Sequence, residues 1–448
     1  MITLETMTMT NHSPIYERPV EILQNLIRFD TTNPPGNEAD CIAYINGLLN
    51  DAGIPTTILA RDPDRPNLVA RLTGRGDAPP LLLYGHVDVV TTEGQEWTHP
   101  PFSGDSADGC VWGRGALDMK GGVAMMLAAV TRAHAEKADL PGDVVLAIVS
   151  DEETLGDYGA SYLVEEHPAL FEGVRYALGE FGGFSLVMLG RTFYPIMVAE
   201  KQVCWMRAAL RGPAGHGSIV SRGGAMAKLG DLLQKLDRHR LPVHITPAAR
   251  MMFEAVGRAL PFPAGMLIRQ LLNPALTDRI LGMLGDQGRL FEGLLHNTVN
   301  ATVVRGGNKV NVIPGEITLE LDGRLLPGFT PDDLIRELRQ IVGGDAAFEV
   351  VDSQPHPGDL DMGLFDTLAG VLKEADPGGV PMPMLMSGAT DGRCFAQLGI
   401  QTYGFLPMTL PPDFNFISTI HAADERIPVE AVAFGANAIF EVLRRFGG

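Results

Sequence analysis

Cysteine is scarce. The 448-residue chain has four, Cys41, Cys110, Cys204 and Cys394, all far apart and none in a C-x-x-C pair. That excludes a disulfide framework and a cysteine zinc site, and it fits a reducing compartment, so a cytoplasmic protein is expected. No apolar run approaches the length of a membrane span. Positive charge is also short: 35 Lys and Arg against 54 Asp and Glu leave a formal charge of −19. That balance argues against nucleic acid or an anionic membrane as partner. The opening stretch, MITLETMTMTNHSP, lacks the apolar core of a signal peptide, and Met7 or Met9 could be the start. What is present is an ordinary globular composition, 45% hydrophobic and 20% charged, on a chain too long for one core of usual size. Two domains are therefore expected.

Helical periodicity covers residues 17–29 and 38–52, joined by the turn-rich DTTNPPGNE. Strands follow at NLVARL (67–72) and LLLYGHVDVV (81–90), then an irregular segment over about 91–116. The helix KGGVAMMLAAVTRAHAEK leads to two more apolar strands, GDVVLAIVSDEE and VRYALGEFGG. This alternation predicts an α/β domain with a largely parallel sheet. Near residue 200 the pattern changes. EKQVCWMRAALRG reads as a half-buried strand, and a helix is expected over about 223–236. A long apolar helical insertion spans 240–296. Two strands, a helix (331–342) and a strand (347–352) complete a β-α-β-β-α-β order, that of a small antiparallel sheet with helices on one face. Residues 199–354 are thus expected as an α+β domain inserted into a first domain built from 1–198 and 355–448.

Chemistry-bearing residues recur where apolar strands end. His86 and Asp88, two apart on a strand, face one way, at the end where open α/β sheets place their sites. They suit a metal ligand with an orienting carboxylate, or else a buried His bonded to its neighbour. Asp118, in GRGALDMKGG, precedes a helix and fits either a helix cap or a ligand. Asp151, Glu152 and Glu153 crowd one strand end and repel one another unless a cation sits there; a solvated turn is the alternative. If Glu152 and Glu153 continue the strand, they face opposite ways, one to bind a metal and one to activate water. Glu180 ends a further apolar strand, and His421 lies in a C-terminal loop. Together these residues could hold two metals around a bridging carboxylate, with one His and one carboxylate more for each. Nitrogen and oxygen donors without thiolate fit zinc, cobalt or manganese, and a paired site of this kind is a hydrolytic arrangement.

The motifs GHVDVV, WTHPPFSG, GRGALDMKGG, SDEETLGDYGA, GHGS, NVIPGE, DGRLLPG, SGATDGR and IHAADERIP stand in the order and spacing of a known family. In them the chain resembles the di-zinc metallopeptidases and amidohydrolases of the aminoacylase, carboxypeptidase G and succinyl-diaminopimelate desuccinylase family. The resemblance implies a zinc-peptidase-like catalytic domain with an inserted ferredoxin-like lid and dimerisation domain. It implies that Asp118 bridges two ions, that His86 and Glu180 complete one site, and that Glu153 and His421 complete the other. Glu152 would be the general base for the metal-bridging water, and Asp88 would hold His86 in its ligating tautomer. The Asp118–Met119 peptide would be cis. His216 would reach the active site of the other subunit of a homodimer and stabilise the oxyanion; a loop His is the alternative. Asn311, Arg324 and Thr390 would contact substrate, with Arg324 on a carboxylate; ordinary strand-end pairing is the alternative for the first two. The insertion at 240–296 is longer than in compact members and looks more like the larger carboxypeptidase S and N-acyl-amino-acid hydrolase branch. Extra packing is the expected use, a wall for a hydrophobic acyl group the alternative.

The expected function is metal-dependent hydrolysis of an amide bond, peptide or N-acyl, beside a free carboxylate. The choice among dipeptidase, carboxypeptidase and deacylase stays open. A non-catalytic binding protein on the same fold and a single-metal lyase or esterase are the rivals.

Overall fold

Apolar strands and helices alternate along the chain as expected, and they pack as two units. A computed structural model describes residues 13–344, 346–353 and 359–447. One unit holds the chain up to Val174 together with the residues from Leu406 on; the other runs from Arg175 to Phe405. The first twelve residues, with the alternative starts, and the 354–355 boundary lie outside the described residues.

In the first unit the strands Thr56–Leu59, Asn67–Leu72, Val144–Val149 and Leu81–His86 lie side by side in that order. The last two are parallel, in register from Leu81↔Val144 to His86↔Val149, and every residue of both is buried. A strand covered on both faces has no polar face to show, which is why each reads as an unbroken apolar run. Antiparallel pairing is confined to the outer strands. The helix Lys120–Ala135 is buried along nearly its whole length because it packs against Pro19–Ile27, Val429–Leu443 and Leu81–His86. Gly121, in its first turn, lies against the Ala116 carbonyl, where a Cβ would collide; this close approach folds the preceding loop onto the helix start.

One expectation is corrected here. The segment 91–116 is not wholly irregular. It carries the short strands Asp105–Ala107 and Cys110–Trp112, joined to Arg426–Pro428 in a three-stranded antiparallel sheet. Asp108 and Gly109 both have positive φ, 51° and 74°, the conformation that an Asp-Gly hairpin turn requires. The signal was short, three residues on either side of the turn, and the third strand comes from the far end of the chain.

Beside a short ladder of Gly215–His216 with Val312–Ile313, the second unit has, among the described residues, two larger sets of strands. In one, Tyr176–Gly179 pairs in parallel with Gln401–Gly404 and Arg191–Glu200 in parallel with Val380–Met386; a single antiparallel pair, Gly404↔Met197, links the two ladders. The other is wholly antiparallel, in the order Thr298–Arg305, Glu316–Leu325, Gln202–Arg211, Ala346–Ser353. The helices Ala225–Arg238 and Pro331–Val342 cover one of its faces, and Leu232, Leu334 and Leu338 share a core with Met206, Leu319 and Leu321. The expected insert, 199–354, therefore forms part of this unit beside strands the sequence assigns to the first domain. Its long apolar stretch becomes four helices, Pro247–Ala259, Ala264–Gln270, Pro274–Leu284 and Asp286–Leu295. The first packs on Val380–Met386 and Arg191–Glu200, as extra packing requires. The fold is mixed α/β with parallel interior ladders. Among the described residues, no helix is long and apolar enough to cross a membrane, and all four cysteines are free.

Candidate metal centre

His86 closes the buried strand Leu81–His86 and is only 1% exposed. Its Nδ1 lies 3.0 Å from the main-chain oxygen of Asp88. A carbonyl only accepts, so Nδ1 carries the proton, and in the neutral ring Nε2 keeps its lone pair. That Nε2 points at Asp118 Oδ1, 3.1 Å away. On the other oxygen of the same carboxylate, His421 Nε2 stands 3.2 Å from Asp118 Oδ2 and 3.3 Å from Glu153 Oε1.

A lone pair facing a carboxylate is repulsive unless positive charge lies between them, so this arrangement is built for a cation. A proton held on a ring answers the same demand. Burial would raise the Asp118 pKa, but the His421 and His86 rings outweigh it and hold the carboxyl well below the usual range. The reciprocal effect of Asp118 and Glu153 pushes His421 up to about 10. Burial in turn raises Glu153, which Asp118 reinforces. Candidate ligand atoms of Asp118, Glu153 and His421 all lie within 4.8 Å of one another. The donor set of nitrogen and carboxylate oxygen fits a borderline divalent ion.

The helix-cap alternative for Asp118 is excluded: the residue before the helix is Met119, and no side chain caps it. The Asp118–Met119 peptide is cis, as the resemblance implies.

Glu152 and Glu153 are not successive strand residues with opposed faces. The strand stops at Val149; Asp151 takes a left-handed conformation (φ 71°), and Glu152–Thr154 forms one 3-10 turn. The turn puts both main-chain N–H groups on one acceptor. Each donates to the Asp88 carboxylate at 3.1 Å, and Asn33 Nδ2 adds a third bond at 2.8 Å. Asp88 Oδ1 is 3.5 Å from His86 Nδ1, so the carboxylate chiefly anchors the turn while its own main chain holds the imidazole. Burial acts to raise its pKa, yet the His86 ring and these donors keep it lowered.

Several supporting residues were not singled out from the sequence. Asn33 also reaches Asp151 at 3.1 Å, and Arg65 pairs with Asp151 and with buried Glu38. Arg114 and Glu425 form a buried ion pair at 2.6 Å. All but Arg65 lie within or at the end of stretches quoted above, but they carry no signal without their partners.

The remaining candidates belong to the second unit. Glu180 follows Tyr176–Gly179 and is buried. His216 is exposed, with Nδ1 2.8 Å from Ser218 Oγ, on a two-residue ladder with Val312–Ile313. Asn311 is exposed, and its carbonyl accepts the Gly217 N–H. Arg324 forks onto Asp322, Nε to Oδ1 at 2.8 Å and Nη2 to Oδ2 at 3.2 Å. The Thr390 hydroxyl and N–H both donate to Glu200 Oε2 at 2.9 Å.

Known proteins resemble the chain in sequence and in fold. "Probable carboxypeptidase S-like 2" of Dictyostelium discoideum is 26% identical over 371 residues, 78% of this chain and 68% of that protein. The Homo sapiens "N-fatty-acyl-amino acid synthase/hydrolase PM20D1" is 27% identical over 384 residues, 82% of this chain and 74% of its own. The crystal structure of an M20 family metallo-carboxypeptidase, Sso-CP2 from Sulfolobus solfataricus, shares the fold at a TM-score of 0.65 and 18% identity, over 95% of this chain and 98% of that one. Residues 82–445 match the profile of Peptidase family M20/M25/M40. A match over most of the sequence, on a chain that turns two imidazoles onto one carboxylate, means that the protein belongs to that family and is a metal-dependent hydrolase.

Proposed function

We propose that the protein hydrolyses an amide bond beside a free carboxylate, in a peptide or an N-acyl amino acid, at a centre of two divalent ions. The observation that carries this reading is the Asp118 carboxylate with one imidazole nitrogen at each oxygen. His86 and Glu180 complete one ligand set and Glu153 and His421 the other, with Asp118 common to both. Zinc is the first choice, and cobalt or manganese suit the same donors. Ions held there would supply Lewis acidity for the scissile carbonyl and for deprotonation of the attacking water.

The chain's own residues do the rest. Glu152 takes the proton of that water and hands it to the leaving amine. Asp88 holds the turn that carries Glu152. Arg324 grips the substrate carboxylate through its planar fork, which Asp322 occupies until substrate arrives. Asn311 and Thr390 help position the substrate. His216, delivered by a second copy of the chain, stabilises the oxyanion. The segment 199–354 then serves as lid and dimerisation domain of a homodimer. The four free cysteines support a reducing, cytoplasmic setting. Both curated relatives carry names for chemistry at a bond next to a carboxylate, which supports the substrate class.

Glu152→Ala is the direct test. Turnover should disappear while two ions per chain are retained; a variant with wild-type rate would sink the mechanism. A panel of dipeptides, N-acyl amino acids and esters fixes the substrate class. Fewer than one ion per purified chain would favour a binding protein instead.

A further inference from the structure

We propose that Arg114 and Glu425 form a buried strap that positions one ion site of the pair, that of Asp118, Glu153 and His421. The inference rests on the two-ion reading above. Neither residue reaches a reacting atom, so both act as positioning residues.

The two side chains are 1% and 0% exposed and meet at 2.6 Å, Arg114 Nη1 on Glu425 Oε2. Each then grips a different ligand-bearing loop. Glu425 Oε1 accepts the main-chain N–H of Leu117 at 2.8 Å and of Asp118 at 3.2 Å. Arg114 Nη2 donates to the His421 carbonyl at 3.2 Å, and Nη1 to the Ala422 carbonyl at 3.2 Å. Gln95 braces the same place: its Oε1 accepts from Arg114 Nη2 at 2.7 Å, and its Nε2 donates to the His421 carbonyl at 2.9 Å. The Trp97 ring backs the guanidinium, with its centroid 5.1 Å from Arg114 Cζ.

Two physical points make this more than packing. His421 has φ 61°, a left-handed conformation uncommon outside glycine, which needs outside support. Two donors on its carbonyl supply it. Second, a buried ion pair contributes little net stability against an apolar replacement. What it does contribute is direction. The planar fork of arginine presents several donors at fixed angles, here to one carboxylate and two carbonyls of a single loop, 307 to 311 residues away in sequence. His86 is held differently, through its strand and the Asp88 carbonyl. The strap therefore acts chiefly on the His421 side.

The test is calorimetric titration of metal-free protein with Zn2+, and with Co2+ for its absorption spectrum. It uses the wild type, Arg114→Gln, Glu425→Gln and the double variant, with Arg114→Lys as a fifth protein. The double variant leaves no buried charge unpaired, and its melting temperature when metal-free reports whether the fold survives. Arg114→Lys keeps the charge and loses the fork, so it carries the same test should the double variant fail to fold. The expected result is two binding steps in the wild type and, in every variant, one step weakened about tenfold or more and the other clearly less. The Co2+ absorption of the weakened step should change with it. A folded double or lysine variant that binds both ions like the wild type overturns the strap, as does equal weakening of both steps. A wild type that binds no ion overturns the metal-centre reading, and the strap with it.

Discussion

Asp88 is fully buried, and three N–H donors converge on its two oxygens. Asp88→Asn turns an amide NH2 toward at least one of them. A buried donor left without an acceptor costs about 1–3 kcal/mol, so the variant should unfold at lower denaturant concentration. Ion affinity should change less than turnover, because the His86 ring bonds the main chain of residue 88, which the substitution keeps. Equal losses in both would contradict the role assigned here. Arg324→Lys probes the substrate side. A single ammonium cannot fork, so KM for a carboxylate substrate should rise by about tenfold, equivalent to about 1.4 kcal/mol, with kcat less affected. An esterified substrate should show no such difference. At this scale the candidate ligands were legible in the sequence, since strand ends and ordered motifs point to them. The true partner of the Asp88 carboxylate was not, because it depends on a turn 64 residues away.

At the scale of elements, the informative place is where Arg191–Glu200 ends and Gln202–Arg211 begins. Glu200 and Lys201, side by side, grip different neighbours: Glu200 accepts from Thr390, and Lys201 Nζ donates to His296 O and Thr298 Oγ1 at 2.9 Å. Burial pushes Glu200 up to about 8 from 4.5 and Lys201 down to about 7 from 10.5. From pH 4.5 to about 8 the folded chain keeps the Glu200 proton that the unfolded chain releases, so this residue's contribution to stability falls as pH rises. From about 7 to 10.5 the unfolded chain keeps the Lys201 proton that the folded chain has lost, so the lysine's contribution rises. Lys201→Met should therefore flatten the stability profile above pH 7, by at most about 1.4 kcal/mol per pH unit. Denaturant titrations of both proteins across that range read the difference. A more local test is the helix Pro331–Val342, whose Thr330 and Asp333 form a reciprocal capping box. Thr330→Ala should cost about 1 kcal/mol without affecting ion binding.

For the whole molecule, removal of ions is the broadest test. A chelator should abolish activity and lower the melting temperature, since a ligand bound only by the folded state stabilises it by mass action. Added Zn2+ should restore both. Subunit exchange tests the homodimer. Glu152→Ala and His216→Ala should each be inactive alone. If His216 acts in the other subunit, refolding the two together should regain activity in mixed dimers. No recovery from a mixture that forms such dimers would place His216 in its own subunit's site, not in its partner's.

The sequence by itself determined most element types and the list of candidate ligands. Period and run length are properties of a few neighbouring residues, so the buried strands, the antiparallel insert and the acids and imidazoles at strand ends could be read directly. Only the tertiary structure decided that the Glu152 and Glu153 N–H groups meet Asp88, that Asp118 is faced by two rings rather than capping a helix, and that Arg114 ties to Glu425. Those facts join positions from 32 to 311 residues apart. A hydrogen bond across such a distance in sequence forms only after the sheet and its loops have closed, and nothing local encodes which donor will meet which acceptor.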